Sequence, residues 1–166
     1  AASAMVLDNE TGEGEAYVGS PDFFDKEKLG ENDGCLAARQ PGSALKPFVY
    51  ALGIERLGLS PTSQLFDVPR SFETPKGSFV PQNYDGRFRG SVRLREALAM
   101  SLNVPAVEVA ARVGVERLLT LLHRLGFSTL NRDASYYGVA LALGDGEVTL
   151  LELAGARYQT LEATAL

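Results

Sequence analysis

The spacing of apolar residues changes several times along this chain, and each change marks an element. Ala4–Asp8 and Glu15–Gly19 are short apolar-containing runs on either side of Asn9-Glu-Thr-Gly-Glu-Gly14. Two such runs around a glycine-bearing polar turn predict a β-hairpin, with Gly12 or Gly14 free to take positive φ. Residues 20–42 are rich in Gly, Asp, Asn and Pro and read as an irregular surface segment. Ala44, Leu45, Phe48, Val49, Ala51, Leu52, Ile54 and Leu57 then form a helical run with little polar surface, stopped at Gly58. A helix apolar nearly all round belongs inside a core. Proline and glycine break residues 59–90 into loops, with extended pieces at Gln64–Val68 and Gly77–Val80. Ser91 suits the N-cap of a helix through Met100, with Leu94, Ala97 and Leu98 on one face. Ser101-Leu-Asn103 interrupts it, and Pro105 suits the first turn of a following helix that Gly114 ends. Val115–Leu125 predicts a third helix, stopped by Gly126. Thr149-Leu-Leu-Glu152 matches a capping box ahead of a helix over 150–162. The pattern is mostly helical, with a strand hairpin in front.

Composition narrows the class of protein. With 166 residues, 45% of them hydrophobic and 22% charged, the chain is one globular domain or a large piece of one. No stretch of about 18 uncharged apolar residues exists to span a membrane. The start, AASAMVLDNETG, lacks the basic region and apolar run of a signal peptide. The balance of 16 basic and 21 acidic residues, net −5, disfavours nucleic acid as a partner, and Arg87-Phe-Arg89 reads as a loop. A single cysteine, Cys35, excludes an internal disulfide and a cysteine-based zinc cluster. His123 is the one histidine, and in Leu-Leu-His-Arg-Leu-Gly it reads as a half-exposed residue near a helix end. No metal or cofactor is expected, and any general base is expected to be something other than histidine.

Two constellations can carry chemistry. In Ser43-Ala-Leu-Lys46, Pro41-Gly42 ends a loop and lets a helix begin near Ser43. A helix N-terminus stabilises negative charge, which favours an alkoxide developing on a serine placed there. Lys46 follows at i+3, on the same face. A lysine desolvated in an apolar helix has its pKa lowered and can act as a base. The bland alternative is a capping serine with Lys46 snorkelling to solvent. Ser101-Leu-Asn103 is the second constellation. It is either two capping residues between consecutive helices or a hydroxyl and a carboxamide brought to Ser43 and Lys46.

These residues resemble a known family. Arg39-Gln-Pro-Gly-Ser43-Ala-Leu-Lys46-Pro-Phe-Val-Tyr-Ala-Leu is similar to the nucleophile segment of the penicillin-binding protein transpeptidase domain, a group marked by Ser-x-x-Lys. Further segments agree, in the family's order. Val6-Leu-Asp-Asn-Glu-Thr-Gly-Glu resembles its opening hairpin. Pro81-Gln-Asn-Tyr84-Asp through Ser101-Leu-Asn103-Val-Pro resembles the approach to its Ser-x-Asn motif, and Gly144-Asp-Gly-Glu-Val-Thr-Leu-Leu-Glu resembles the start of a later helix. The resemblance is to the bifunctional class A type, in particular its 1C branch. It implies an α+β fold, a partial serine β-lactamase-like transpeptidase domain, and a reaction of peptidoglycan synthesis on the extracytoplasmic face of the bacterial membrane. It also implies Ser43 as acylated nucleophile, Lys46 as general base, Ser101 as proton relay and Asn103 as a substrate-binding group. The implied partners are peptidoglycan stem peptides ending in D-Ala-D-Ala, with β-lactams as inhibitors.

One departure accompanies the match. The family's third motif, Lys-Thr-Gly on a central strand, is missing; the Lys76-Gly77 pair follows Thr74-Pro75 in the wrong place. Residues 1–166 are therefore expected to form an incomplete transpeptidase domain. The third-motif strand, an upstream glycosyltransferase domain and a membrane anchor are all expected to be absent. The chain is expected to be poorly active alone and to self-associate through an uncovered sheet edge. Two other readings stand beside this one. The first is a noncatalytic interaction or structural fragment. The second is a carboxypeptidase- or β-lactamase-like Ser-x-x-Lys hydrolase, for which Leu102 replaces the aspartate of a class A β-lactamase's Ser-Asp-Asn.

Overall fold

The apolar run after Ser43 folds as α1 (Lys46–Leu57) in the computed structural model of the protein, which describes residues 2–74 and 77–156. Gly58, left-handed at φ 64°, closes the helix as the sequence predicts. Phe48, Val49, Tyr50 and Leu52 are all buried, and Ile54 is the exposed exception among the helix's large apolar residues. The described residues fall into two compact units. One comprises residues 2–40, 122–131 and 147–156, the other residues 41–74, 77–121 and 132–146.

In the second unit α1 packs against α3 (Asn103–Val113), whose Val104, Ala106, Val107, Val109, Ala110 and Val113 are buried. The two helices approach closely at Gly53, where a Cβ would come 2.7 Å from Val109 Cγ1. A 3₁₀ segment, Gly138–Leu143, covers α3 and contributes Leu141 and Ala142 to the core. The short helix α2 (Leu94–Ala99) packs on both α1 and α3.

More of this unit is extended than the sequence pattern predicts. Strand β3 (Gln64–Asp67) pairs antiparallel with β6 (Gly90–Arg93), and β4 (Phe72–Thr74) pairs with β5 (Gly77–Phe79). Ser91 is therefore not a helix N-cap. It lies in β6 opposite Phe66, and its hydroxyl accepts from Gln64 Nε2 at 2.5 Å. The helix starts three residues later, where the Arg93 N–H donates to Glu96 Oε2 at 2.9 Å. The cross-strand partner 27 residues away overrides the local capping signal. A short helix, α5 (Ala134–Tyr137), precedes the 3₁₀ segment and carries no amphipathic repeat long enough to announce it.

The first unit opens with the predicted hairpin, β1 (Ala4–Leu7) against β2 (Gly14–Val18), in which every β2 residue is exposed. Cys35 is buried beneath it, its thiol facing the Ala4 and Val18 carbonyls. Arg39 and Val148 exchange both backbone hydrogen bonds at 2.9 Å. The capping box forms as predicted. Thr149 Oγ1 accepts from the Glu152 N–H at 3.1 Å, and Glu152 Oε2 accepts from the Thr149 N–H at 3.0 Å. Residues 150–156 are helical, whereas the remainder of the predicted helix to 162 lies outside the described residues, as does Lys76. α4 (Val115–Arg124) is the third helix of the sequence reading. The exposed His123 donates from Nε2 to the Leu130 carbonyl at 2.7 Å.

Candidate functional site

Pro41 and Gly42 turn the chain into α1. Gly42 takes φ 57°, and Gly42–Leu45 form one 3₁₀ turn before the α-helix starts at Lys46. The helix thus begins three residues later than the sequence reading placed it, and Ser43 is exposed in the 3₁₀ turn. In a 3₁₀ turn residues i and i+3 stack one above the other, so Ser43 and Lys46 keep the same side. The turn is held from behind by Gly144, itself at φ 87°. A Cβ there would lie 2.3 Å from the Gly42 nitrogen and 2.5 Å from its Cα. Only glycine fits so tight a backbone contact, a requirement the sequence reading did not single out.

Lys46 does not snorkel. It is 1% exposed and donates to the Ser101 carbonyl at 2.5 Å, to Asn103 Oδ1 at 2.6 Å and to Ser101 Oγ at 3.1 Å. Three N–H donors meet three acceptors, all from a segment more than 50 residues away. Burial pushes the ammonium down from the ordinary 10.5 to about 8. Although they share a side, no hydrogen bond joins Ser43 and Lys46: the ammonium's donors are all spent on Ser101 and Asn103. The structure therefore brings Lys46, Ser101 and Asn103 into one cluster and leaves the Ser43 hydroxyl exposed on the adjoining turn.

The Ser101-Leu-Asn103 segment is not an ordinary helix-to-helix cap. Ser101 sits at φ 53°, a left-handed conformation that costs a non-glycine residue about 1–3 kcal/mol and clusters at functional sites. Leu102 is buried and anchors the turn. Neither serine nor asparagine caps α3 locally; the Asn103 N–H is taken instead by Asn83 Oδ1 at 2.8 Å. Asn103 Nδ2 donates to the Gln82 carbonyl at 2.6 Å, which leaves its Oδ1 for Lys46. Asn83 in turn donates from Nδ2 to both oxygens of Asp67, at 2.9 and 2.8 Å, and to the Arg87 carbonyl at 2.8 Å.

Asp67 is fully buried, and Asn83 is 6% exposed. Neither was singled out from the sequence, although one signal was there. Asp67 falls on the same inward side of β3 as Leu65, and a carboxylate on the apolar face of a strand demands partners.

Comparison with known proteins follows the same lines. The family profile described as penicillin binding protein transpeptidase domain matches residues 2–156. Penicillin-binding protein 1C of Escherichia coli K12 is 35% identical over 152 residues, covering 92% of this chain and 19% of that protein. Penicillin-binding protein 1F of Bacillus subtilis 168 is 38% identical over 157 residues, covering 93% of this chain and 20% of that protein. The crystal structure of penicillin-binding protein 1A from Haemophilus influenzae superposes with a TM-score of 0.82 at 32% identity, covering 94% of this chain and 22% of that one. The chain spans about a fifth of the length of these relatives.

Proposed function

We infer, for a chain that belongs to the penicillin binding protein transpeptidase family, that it carries the acylating residues of a serine D,D-transpeptidase of peptidoglycan synthesis. The observation that carries this is Lys46: a lysine 1% exposed, held by Ser101 and Asn103, one turn beyond an exposed serine. Burial gives it a neutral fraction near neutral pH that a surface lysine lacks.

The hydrogen-bond pattern tolerates that proton loss. The two short bonds go to the Ser101 carbonyl and Asn103 Oδ1, which can only accept. A neutral amine has two N–H groups for them and one lone pair left. The remaining, longest contact is to Ser101 Oγ, the one partner that can reverse and donate. Once neutral, Lys46 can turn its lone pair from Ser101 Oγ to Ser43 Oγ and accept the Ser43 proton as Ser43 Oγ attacks the carbonyl of a D-Ala-D-Ala amide. The proton then passes through Ser101 Oγ to the amine that leaves, and Asn103 holds the donor peptide. A β-lactam would acylate the same serine. Substrates of this kind place the work on the extracytoplasmic face of the membrane, within a domain to which residues 1–166 contribute one part. Among the described residues no helix is long and apolar enough to cross a membrane.

A fluorescent penicillin should label the full encoded protein and fail to label its Ser43→Ala variant. Lys46→Ala should slow labelling by about 10²–10⁴-fold, the usual cost of a lost general base. Labelling that persists in Ser43→Ala would assign the chemistry to another residue. A noncatalytic role has one observation in its favour, the missing Ser43–Lys46 hydrogen bond, and an unlabelled wild-type protein would select it.

A further inference from the structure

Beneath Ser101 and Asn103 lies a buried polar chain that the proposed chemistry does not use. It runs from the Asp67 carboxylate through the Asn83 carboxamide to the Asn103 N–H, and from the Asn103 side chain to Lys46. Each link has one sensible polarity. Asp67 accepts at both oxygens, from Asn83 Nδ2 and, at Oδ2, from the Arg89 N–H at 2.8 Å, an acceptor-only pattern. That fixes the Asn83 amide with its NH₂ toward Asp67 and the Arg87 carbonyl, so its Oδ1 must face α3. There it takes the Asn103 N–H, the first of the helix, which has no local cap.

The loop between the two asparagines is shaped to the same end. The Gly86 N–H donates to the Asn83 carbonyl at 2.9 Å with Gly86 at φ 67°, a turn that returns the Arg87 carbonyl and the Arg89 N–H to Asn83 and Asp67. Arg89 further clamps Asp85 through two side-chain bonds, at 2.9 and 2.6 Å. Gln82, next to Asn83, receives the Asn103 side chain. One short segment thus grips both the backbone and the carboxamide of Asn103, and its own orientation is set by Asp67.

We propose that Asp67 and Asn83 are a positioning pair for the acylation site: the buried carboxylate fixes the Asn83 amide, which caps α3 from a distance and so holds Asn103 and the strained Ser101 against Lys46. Asp67 and Asn83 touch no reacting atom. They act through Asn103, whose displacement would release one of the two short bonds to the lysine. The strain at Ser101 gives the turn a reason to relax once the grip is lost.

The proposal rests on Ser43 acylation, and its test keeps the two apart. In the full encoded protein, penicillin acylation is resolved into a pre-acylation dissociation constant and an acylation rate constant, with Ser43→Ala as control. Asp67→Asn places an amide against an amide and invites Asn83 to turn over. Its acylation rate constant should fall about 10–100-fold, the scale of a misplaced catalytic group. The dissociation constant should stay near wild type, and the thermal midpoint should fall only by the few degrees that a lost helix cap costs. Amide exchange of a peptide containing Asn103 should speed up, while that of α1 stays unchanged. The swap Asp67→Asn/Asn83→Asp keeps one carboxylate, one amide and an oxygen for the Asn103 N–H, but takes the donor from the Arg87 carbonyl. It should acylate at least about threefold faster than Asp67→Asn without reaching the wild-type rate.

Ser43-dependent labelling with Asp67→Asn acylating at the wild-type rate overturns the pairing and leaves the proposed function standing. Absent or Ser43-independent labelling overturns the function; unchanged Asn103 exchange in Asp67→Asn would then overturn the pairing as well. Should Asp67→Asn fail to fold, the swap decides. A folded, acylating swap supports the pair, whereas a swap that is unfolded, or folded but not acylating, shows that these residues serve the fold as a whole.

Discussion

Lys46 shows how one buried residue ties chemistry to pH. Its ammonium is matched by three acceptors, yet burial lowers its proton affinity to about 8. In the proposed reaction only the neutral amine can take the Ser43 proton. The acylation rate should therefore rise about tenfold per pH unit well below pH 8 and level off above it. A stopped-flow penicillin titration across pH 6–10 would read this, and a rate flat through pH 8 would remove Lys46 as the base. Stability carries the same sign. Below about 8 the folded and unfolded chains both hold the proton, and the buried charge costs stability in full. Between about 8 and 10.5 the unfolded state binds more protons, so this cost is progressively relieved as pH rises.

At the scale of elements, the site depends on two close backbone approaches. Gly53 lets α1 lie against α3, and Gly144 lets the end of the 3₁₀ segment 138–143 press on Gly42. The second matters more for chemistry, because Gly42 begins the turn that carries Ser43. Gly144→Ala must move backbone, not a flexible side-chain tip, and must also hold alanine at φ 87°. It should destabilise the protein by about 1–3 kcal/mol and slow Ser43 acylation. Thermal unfolding and penicillin labelling of the variant would check both. A wild-type midpoint would mean that the turn and the 3₁₀ segment can separate freely.

On the scale of the whole molecule, the hairpin is the exposed element. Val6, Tyr17 and Val18 are 48%, 50% and 47% exposed, in a sheet of only two strands among the described residues. Two strands are marginal alone in water, and an open apolar edge is a template for another strand. The 166-residue polypeptide should show a sedimenting mass that rises with concentration, and Val18→Lys should suppress the rise. A monomer at every concentration would show that the edge is already protected.

The sequence by itself determined the elements whose information is local. α1 follows from an unbroken apolar run closed by Gly58. α4 follows from a periodic stripe closed by Gly126, and the Thr149–Glu152 capping box from a spacing of three. Ser43, Lys46, Ser101 and Asn103 were legible as candidates because polar groups in apolar helices, or at helix breaks, need a reason. Tertiary structure decided what depends on distant partners. It put Ser91 in a strand, because Phe66 of β3 lies opposite it, and started α1 at Lys46, after a turn packed against Gly144. It also turned Lys46 toward Ser101 and Asn103 instead of Ser43, since three acceptors converge on a lysine that burial denies water. The grip of Asp67 and Asn83 on Asn103 lay beyond sequence reading for the same reason: hydrogen-bond partners 16 and 20 residues apart meet only once the chain is folded.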